Sequence, residues 1–198
     1  VTRYSWPKAR PGQSVGLLGG SFDPAHSGHM AVTLAALARF GLDHVWWLVT
    51  PGNPLKSQDA AAIFRRTERA RRVAAHPFVT VTGIEADLGT RYTADTLAAL
   101  QRNYPRQRFV WLMGSDNLAE FHRWDRWQDI IATVPIGVLA RPGSRTRGLL
   151  SPAGRLLRRH RCAPGELSLR NAPAFAFASL PLNDESSTRI RAAGQWKR

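Results

Sequence analysis

The stretch Gly19-Gly20-Ser21-Phe22-Asp23-Pro24-Ala25-His26-Ser27-Gly28-His29 constrains the fold more than any other part of the chain. Before it, Val15-Gly16-Leu17-Leu18 is a short apolar run of the kind a buried parallel strand shows. After it, Met30, Leu34, Leu37 and Ala38 recur at helical spacing as far as Gly41, a residue suited to a helix end. The loop therefore joins a strand to a helix, with His29 in the first helical turn. Glycines let backbone approach a ligand closely, and a helix start offers unpaired N–H groups and a positive dipole end to a phosphate. His26 and His29 add side-chain donors on the same side. Two other readings compete with a phosphate site: an ordinary strand-to-helix turn with a surface histidine, and a metal pair. The metal pair is disfavoured because no Cys or His cluster elsewhere in the sequence supplies further ligands. The glycines, the histidines and the flanking elements together favour phosphate.

Downstream, strand-like and helix-like segments alternate. Residues 44–50, 78–81, 108–113, 136–140 and 174–178 are rich in β-branched, aromatic or alternating apolar residues and read as strands. A helix is expected over about 60–75, capped by Asp59, with Ile63, Ala70, Val73 and Ala74 facing inward. Others are expected from the cap Thr93 to before Pro105, through Trp124, Trp127, Ile130 and Ile131, near 152–161, and from Ser186 to about Gly194. This alternation predicts an α/β fold: Rossmann-like, a mostly parallel sheet with helices on both faces, in one domain over 1–198. Residues 1–13, with two prolines and no period, are expected to form a loosely held arm. Ligands of such sheets bind at the carboxyl ends of strands. The glycine–histidine loop, Pro51–Lys56, Gly114–Asp116 and Arg141 all follow predicted strands.

Composition adds exclusions. No apolar run approaches about eighteen residues, so a membrane span is not expected, and Val1–Gly12 lacks the apolar core of a secretory signal. The single cysteine, Cys162, excludes an internal disulfide, reads as an inert thiol and suits a cytoplasmic protein. The net charge of +14 pulls toward nucleic acid, but polyanionic small substrates also benefit from a positive field. The arginines are scattered, with local runs at Arg65-Arg66, Arg71-Arg72 and Arg158-Arg159 that read as solvated helix faces. No aromatic-interleaved RNA signature accompanies them, which leaves a nucleic-acid-binding module as the remote alternative. The basic, Gly- and Pro-rich stretch between Arg141 and Pro173 carries little signal and is expected to be irregular.

The loop resembles the GxFDPxHxGH signature of the superfamily that transfers nucleotidyl groups from ATP. Four further segments resemble one branch of it, the bacterial nicotinate-nucleotide adenylyltransferases. Thr50-Pro51-Gly52-Asn53-Pro54-Leu55-Lys56 looks like that family's substrate loop, and Arg91-Tyr92-Thr93-Ala94-Asp95-Thr96-Leu97 like its SYTxxTL helix start. Gly114-Ser115-Asp116-Asn117-Leu118, followed by Phe121 and Trp124, looks like its GxDxLxxFxxW segment. Ser186 to Arg191 looks like its SSTxIR motif.

The resemblance implies that nicotinate mononucleotide and ATP are joined to give nicotinate adenine dinucleotide and pyrophosphate, with Mg²⁺ accompanying ATP. A close relative of that activity would use nicotinamide mononucleotide, alone or as well. The resemblance implies a nucleotide site at Gly19, Gly20, Ser21, Phe22, Gly114 and Asp116. It puts the triphosphate at His26, His29, Ser187, Thr188 and Arg191, with His26, His29 and Arg191 catalytic. On the mononucleotide side it implies Asn53 and Lys56 for polar groups, Thr93 and Ala94 amides for the nicotinate carboxylate, and Trp124 and Tyr92 around the pyridine. It leaves a homo-oligomer open. Asp23 stands between two roles, orienting a histidine and satisfying loop amides.

Overall fold

A computed structural model of the chain describes residues 6–51, 62–140, 145–180 and 186–196. Its elements in chain order are β1 (Ser14–Gly20), α1 (Ser27–Phe40), β2 (His44–Val49), α2 (Ile63–Val73), β3 (Val79–Thr82), α3 (Ile84–Leu88), α4 (Thr93–Asn103) and β4 (Arg108–Gly114). They continue with α5 (Ser115–Glu120), α6 (Trp127–Thr133), β5 (Ile136–Ala140), α7 (Arg145–Leu150), α8 (Pro152–Leu157), β6 (Phe175–Ser179) and α9 (Ser187–Ala192). The strands form one sheet in the order β3-β2-β1-β4-β5-β6, and every pairing is parallel. The order reverses between β1 and β4, so the crevice outside their carboxyl ends is the place where such a sheet binds ligands.

All strands but the edge strand β3, which alternates Val and Thr, are apolar on both sides, as a sheet covered on both faces requires. Val15 and Leu17 of β1, Trp46 and Leu48 of β2 and Trp111 of β4 pack toward Leu97 and Leu100 of α4 and Ile130 of α6. The alternate residues Leu18, Val45, Trp47 and Leu112 pack toward Ala36 and Phe40 of α1 and Ala70 of α2. Burying each large side chain of this kind contributes about 1.5–3 kcal/mol, so the sheet is the mechanical base of whatever its loops carry.

All six expected strands are present, while the helices differ in detail. The segment expected to be helical through Trp124 follows a 3₁₀ turn at Phe121–Arg123 and is helical only from Trp127, as α6. The short helices α3, α5 and α7 were not expected. In the basic stretch the helix expected near 152–161 is present as α8 and a 3₁₀ turn over 158–160, while α7 and a 3₁₀ turn over 164–169 are regular where irregularity was expected; together they bury Ala153, Leu157 and Leu167. Ser151 joins this region to α5, donating to the carbonyl of Leu118 at 3.1 Å. In the arm, residues 6–13 are tethered. Trp6 stacks on Tyr104, whose hydroxyl donates to the Pro7 carbonyl at 2.9 Å, and Gly12 N–H donates to Arg106 O at 2.8 Å. Among the described residues, no helix is long and apolar enough to cross a membrane.

Candidate active site

The loop after β1 is organised by its two histidines. His26 is the N-cap of α1, and its Nδ1 accepts the Gly28 N–H at 3.1 Å. His29, three positions later, accepts the His26 N–H on its own Nδ1 at 3.2 Å. This is a reciprocal capping box, built from imidazoles where Ser or Thr and Glu usually serve. An imidazole that accepts on Nδ1 is, when neutral, protonated on Nε2, so the backbone fixes each ring's tautomer as an Nε2 donor. The rings lie 4.1 Å apart between centroids, and both border the cleft.

Packing beneath the loop explains its other residues. A Cβ on Gly19 would lie 2.6 Å from the Trp111 ring, so glycine there admits the indole from the neighbouring strand. Phe22 takes a positive φ of 46° and is buried, stacked on Trp47 at 4.9 Å and tilted against His29 at 4.8 Å. Its ring backs His29, and the residue borders the cleft beside Gly20 and Ser21. Trp47 Nε1 donates to the Thr33 hydroxyl at 2.8 Å, which donates in turn to the His29 carbonyl at 2.8 Å.

Two residues that complete the site were not foreseen. Arg66 of α2 is buried, not solvated as the run Arg65-Arg66 predicted. Its guanidinium donates to the carbonyls of Ser21 at 2.6 Å, Thr50 at 2.8 Å and Pro51 at 3.2 Å, tying the loop after β1 to the end of β2. Glu85 of α3 is also buried and lines the cleft. Burial raises its carboxyl to about 7, against the lowering effect of the Thr96 hydroxyl, which donates to Oε1 at 3.0 Å.

The remaining walls come from other strand ends. Gly114 closes β4, and a Cβ there would meet only the Leu139 carbonyl at 4.0 Å; the fold leaves space at this position that a side chain would take from a ligand. Ser115 and Asp116 open α5 beside it. The far end is formed by Tyr92, Thr93 and Trp124. Tyr92, rather than Thr93, is the N-cap of α4, and its side chain caps no N–H. Trp124 is half-buried: one edge meets Trp111 at 6.2 Å and Phe121 at 5.2 Å, both nearly perpendicular, while the ring borders the cleft. It is therefore core edge and cleft wall at once.

The sequence-predicted residues thus gather on one cleft, with exceptions. Gly19, Gly20, Ser21 and Ser187 line it, but Ala94 is buried in α4, and of α9 only Ser187 reaches the lining. Thr188 and Arg191 lie off it. Arg191 donates to the main-chain carbonyl of Asp23 and, at 3.2 Å, to the Thr188 hydroxyl. Ser187 donates to the Pro24 carbonyl at 2.9 Å. Asn53, Lys56 and Arg141 fall outside the described residues.

Comparison with known proteins shows the family. The cytidylyltransferase-like family profile matches residues 17–193. A probable nicotinate-nucleotide adenylyltransferase of Ruegeria pomeroyi is 60% identical over 197 residues, covering 98% of this chain and 92% of that protein. A protein of the same description from Cereibacter sphaeroides is 60% identical over 183 residues, covering 92% and 99%. The chain belongs to the nicotinate-nucleotide adenylyltransferase family. The fold is shared with Plasmodium falciparum nicotinic acid mononucleotide adenylyltransferase complexed with NaAD, at a TM-score of 0.68, 15% identity, and coverage of 91% of this chain and 83% of that one. The adenylyltransferase motifs signalled neither Glu85, which lines the cleft, nor Arg66, which clamps the loop beside it. Arg66 had a signal of another kind, since the inner stripe Ile63, Ala70, Val73 and Ala74 passes through position 66 at helical spacing.

Proposed function

We propose that the chain transfers the adenylyl group of ATP to nicotinate mononucleotide, yielding nicotinate adenine dinucleotide and pyrophosphate in NAD biosynthesis. The observation that carries this reading is one cleft with two anion-seeking ends. Imidazoles locked as Nε2 donors stand at one end, and the start of α4, with no capping side chain, stands at the other beside Trp124. The adenine nucleotide fits against Gly20, the main chain at Phe22, Gly114 and Asp116. The nicotinate carboxylate meets the Thr93 and Ala94 amides, and the pyridine lies between Tyr92 and Trp124.

In the reaction an oxygen of the mononucleotide phosphate forms a bond to the α-phosphorus of ATP. The bond from that phosphorus to the bridging oxygen breaks, and pyrophosphate leaves with the electron pair. The nucleophile is already an anion, so no side chain need remove a proton. The protein's contribution is alignment and stabilisation of charge at phosphorus and on the leaving group. His29 donates from Nε2 to the α-phosphate oxygens and His26 to the leaving phosphates. Arg191 reaches those phosphates by exchanging its contact with Thr188, its planar fork suiting two oxygens at once.

Among the described residues, no three His, Cys, Asp or Glu side chains are gathered for a metal. Glu85, Asp116 and Asp125 line the cleft separately, a donor set that fits Mg²⁺ delivered on the triphosphate and held by phosphate oxygens and water. Bound so, the ion neutralises charge on the leaving phosphates. The test is pyrophosphate release with ATP and, in separate reactions, nicotinate mononucleotide, nicotinamide mononucleotide and phosphopantetheine. Strongest turnover with the nicotinate compound is expected. Equal turnover of the amide would remove the carboxylate from the reading, and release with none of the three would overturn it.

A further inference from the structure

The C-terminal segment makes a contact with the loop after β1 that the reading above does not use. Trp196 Nε1 donates to Asp23 Oδ1 at 2.7 Å. Asp23 is 2% exposed and sits between Phe22, with its positive φ, and Pro24, two residues short of Ala25-His26. Arg191 and Ser187 meanwhile hold the main-chain carbonyls of Asp23 and Pro24. The indole is itself held in place, because the Arg65 guanidinium lies over its ring at 5.0 Å from the centroid. Trp196, Arg65, Pro24 and His26 line one groove between α2 and α9, and His26 borders the cleft as well.

We infer that Trp196 is a positioning residue for adenylyl transfer, holding the Asp23 carboxylate, and through it His26 and His29, in the geometry that meets the phosphates. The physical case rests on the kind of contact. A buried carboxylate is satisfied by hydrogen bonds to its charged form, and an indole N–H donates one without bringing a second charge into the loop. The bond is directional and leaves Asp23 little freedom to turn. Of the two roles considered for Asp23 in the sequence, this inference takes up the orienting one and adds a partner on Oδ1 that the loop does not supply. A misplacement of reacting groups by about 1 Å is enough to cost two orders of magnitude in rate, so a brace far from the phosphorus is visible in kcat.

The inference rests on the adenylyl-transfer reading for its kinetic test and is independent of it for a second one. Trp196→Phe keeps a ring under Arg65 and removes only the donor. In the full chain it is expected to lower kcat about tenfold, with KM for ATP and for nicotinate mononucleotide within about twofold and the melting temperature nearly unchanged. Asp23→Asn, which keeps an Oδ1 acceptor for the indole, is expected to retain most activity, whereas Asp23→Ala loses as much as Trp196→Phe or more. Hydrogen exchange of the amides of His26 to His29 is expected to quicken in Trp196→Phe whether or not any mononucleotide turns over. An unchanged kcat in Trp196→Phe overturns the inference, as does a fall in melting temperature large enough to account for the loss. If wild type turns over no mononucleotide, the reading of activity fails, and exchange alone decides: unchanged loop exchange in Trp196→Phe overturns the brace.

Discussion

The histidine end of the cleft, proposed above for phosphate, is braced from several distant parts of the chain, whereas the Trp124 end, proposed for the pyridine, is walled by the start of one helix, an indole and a buried carboxyl. At the first, α1 caps itself through His26 and His29, α2 clamps three carbonyls through Arg66, β2 reaches His29 through Trp47 and Thr33, and α9 holds Pro24 and Asp23. At the second, Tyr92 and Thr93 open α4 uncapped, Trp124 leans on its neighbours by its edges, and Glu85 lies below. The difference follows from what each end has to do. Bond exchange at phosphorus depends on donors fixed within fractions of an ångström, while recognition of a ring and its substituent tolerates a softer wall. Changes at the first end should therefore strike rate or fold, and changes at the second should strike affinity and pH response.

The largest effect is expected at Arg66. Arg66→Met fills similar volume but leaves the carbonyls of the half-buried Ser21 and Thr50, and of the exposed Pro51, without their donor. A loss of about 3–5 kcal/mol in unfolding free energy by chemical denaturation is expected, since an unsatisfied buried group costs about 1–3 kcal/mol each. A loss below about 1 kcal/mol would show that the clamp is dispensable and the comparison too sharp.

Glu85 comes next. Its carboxyl titrates near 7 in the folded chain and at an ordinary 4.5 when unfolded, so between those values the folded state carries a proton that the unfolded state does not. Stability from this group is full below about pH 4.5 and is lost as pH rises through about 7. The shift corresponds to about 3 kcal/mol at 1.36 kcal/mol per pH unit. Glu85→Gln keeps the Thr96 hydrogen bond and removes the titration, so denaturation free energies measured from pH 5 to 8 should slope downward less steeply in the variant. Parallel pH profiles would put the carboxyl in its ordinary range.

His29→Ala is expected to lower kcat at least about a hundredfold, the scale of one positioned donor to a transition state. Near-normal turnover in the folded variant would remove His29 from the reaction. The smallest of the four, and the most discriminating for the pyridine end, is Trp124→Ala. Loss of ring stacking is worth about 1–3 kcal/mol, a rise in KM for the mononucleotide of roughly five- to two-hundredfold with KM for ATP little moved. Steady-state titrations of each substrate beside a melting curve separate this from a core truncation, which costs about 3–5 kcal/mol and harms both substrates together.

Much of this was legible in the sequence because long periodic segments declare themselves. All six strands, α1, α2, α4 and the loop between β1 and α1 follow from apolar runs, helical spacing and glycine position. The short helices α3, α5 and α7 span five or six residues, too few for a period to stand out from noise. Arg66 was obscured by its own charge, which outweighed the inner stripe on which it falls. Phe22 borders the cleft, but nothing in the loop motif announces that Trp47 on the adjacent strand stacks on its ring. Nothing local to Glu85 announces a buried acid, since its partner Thr96 is eleven residues away on another helix.

The histidine cap has a consequence for protons. Each ring spends its Nδ1 lone pair on a main-chain N–H, so a second proton can settle only where that lone pair now accepts. Acid therefore does more than add charge beside the phosphates; it withdraws an acceptor from the first turn of α1. While the helix start is intact, these imidazoles are donors without a spare basic nitrogen, and neither can act as a proton acceptor without loosening the backbone that aims it. Such rings suit a transfer whose nucleophile arrives already deprotonated, and at each of them the shape of the loop and its charge answer to the same proton.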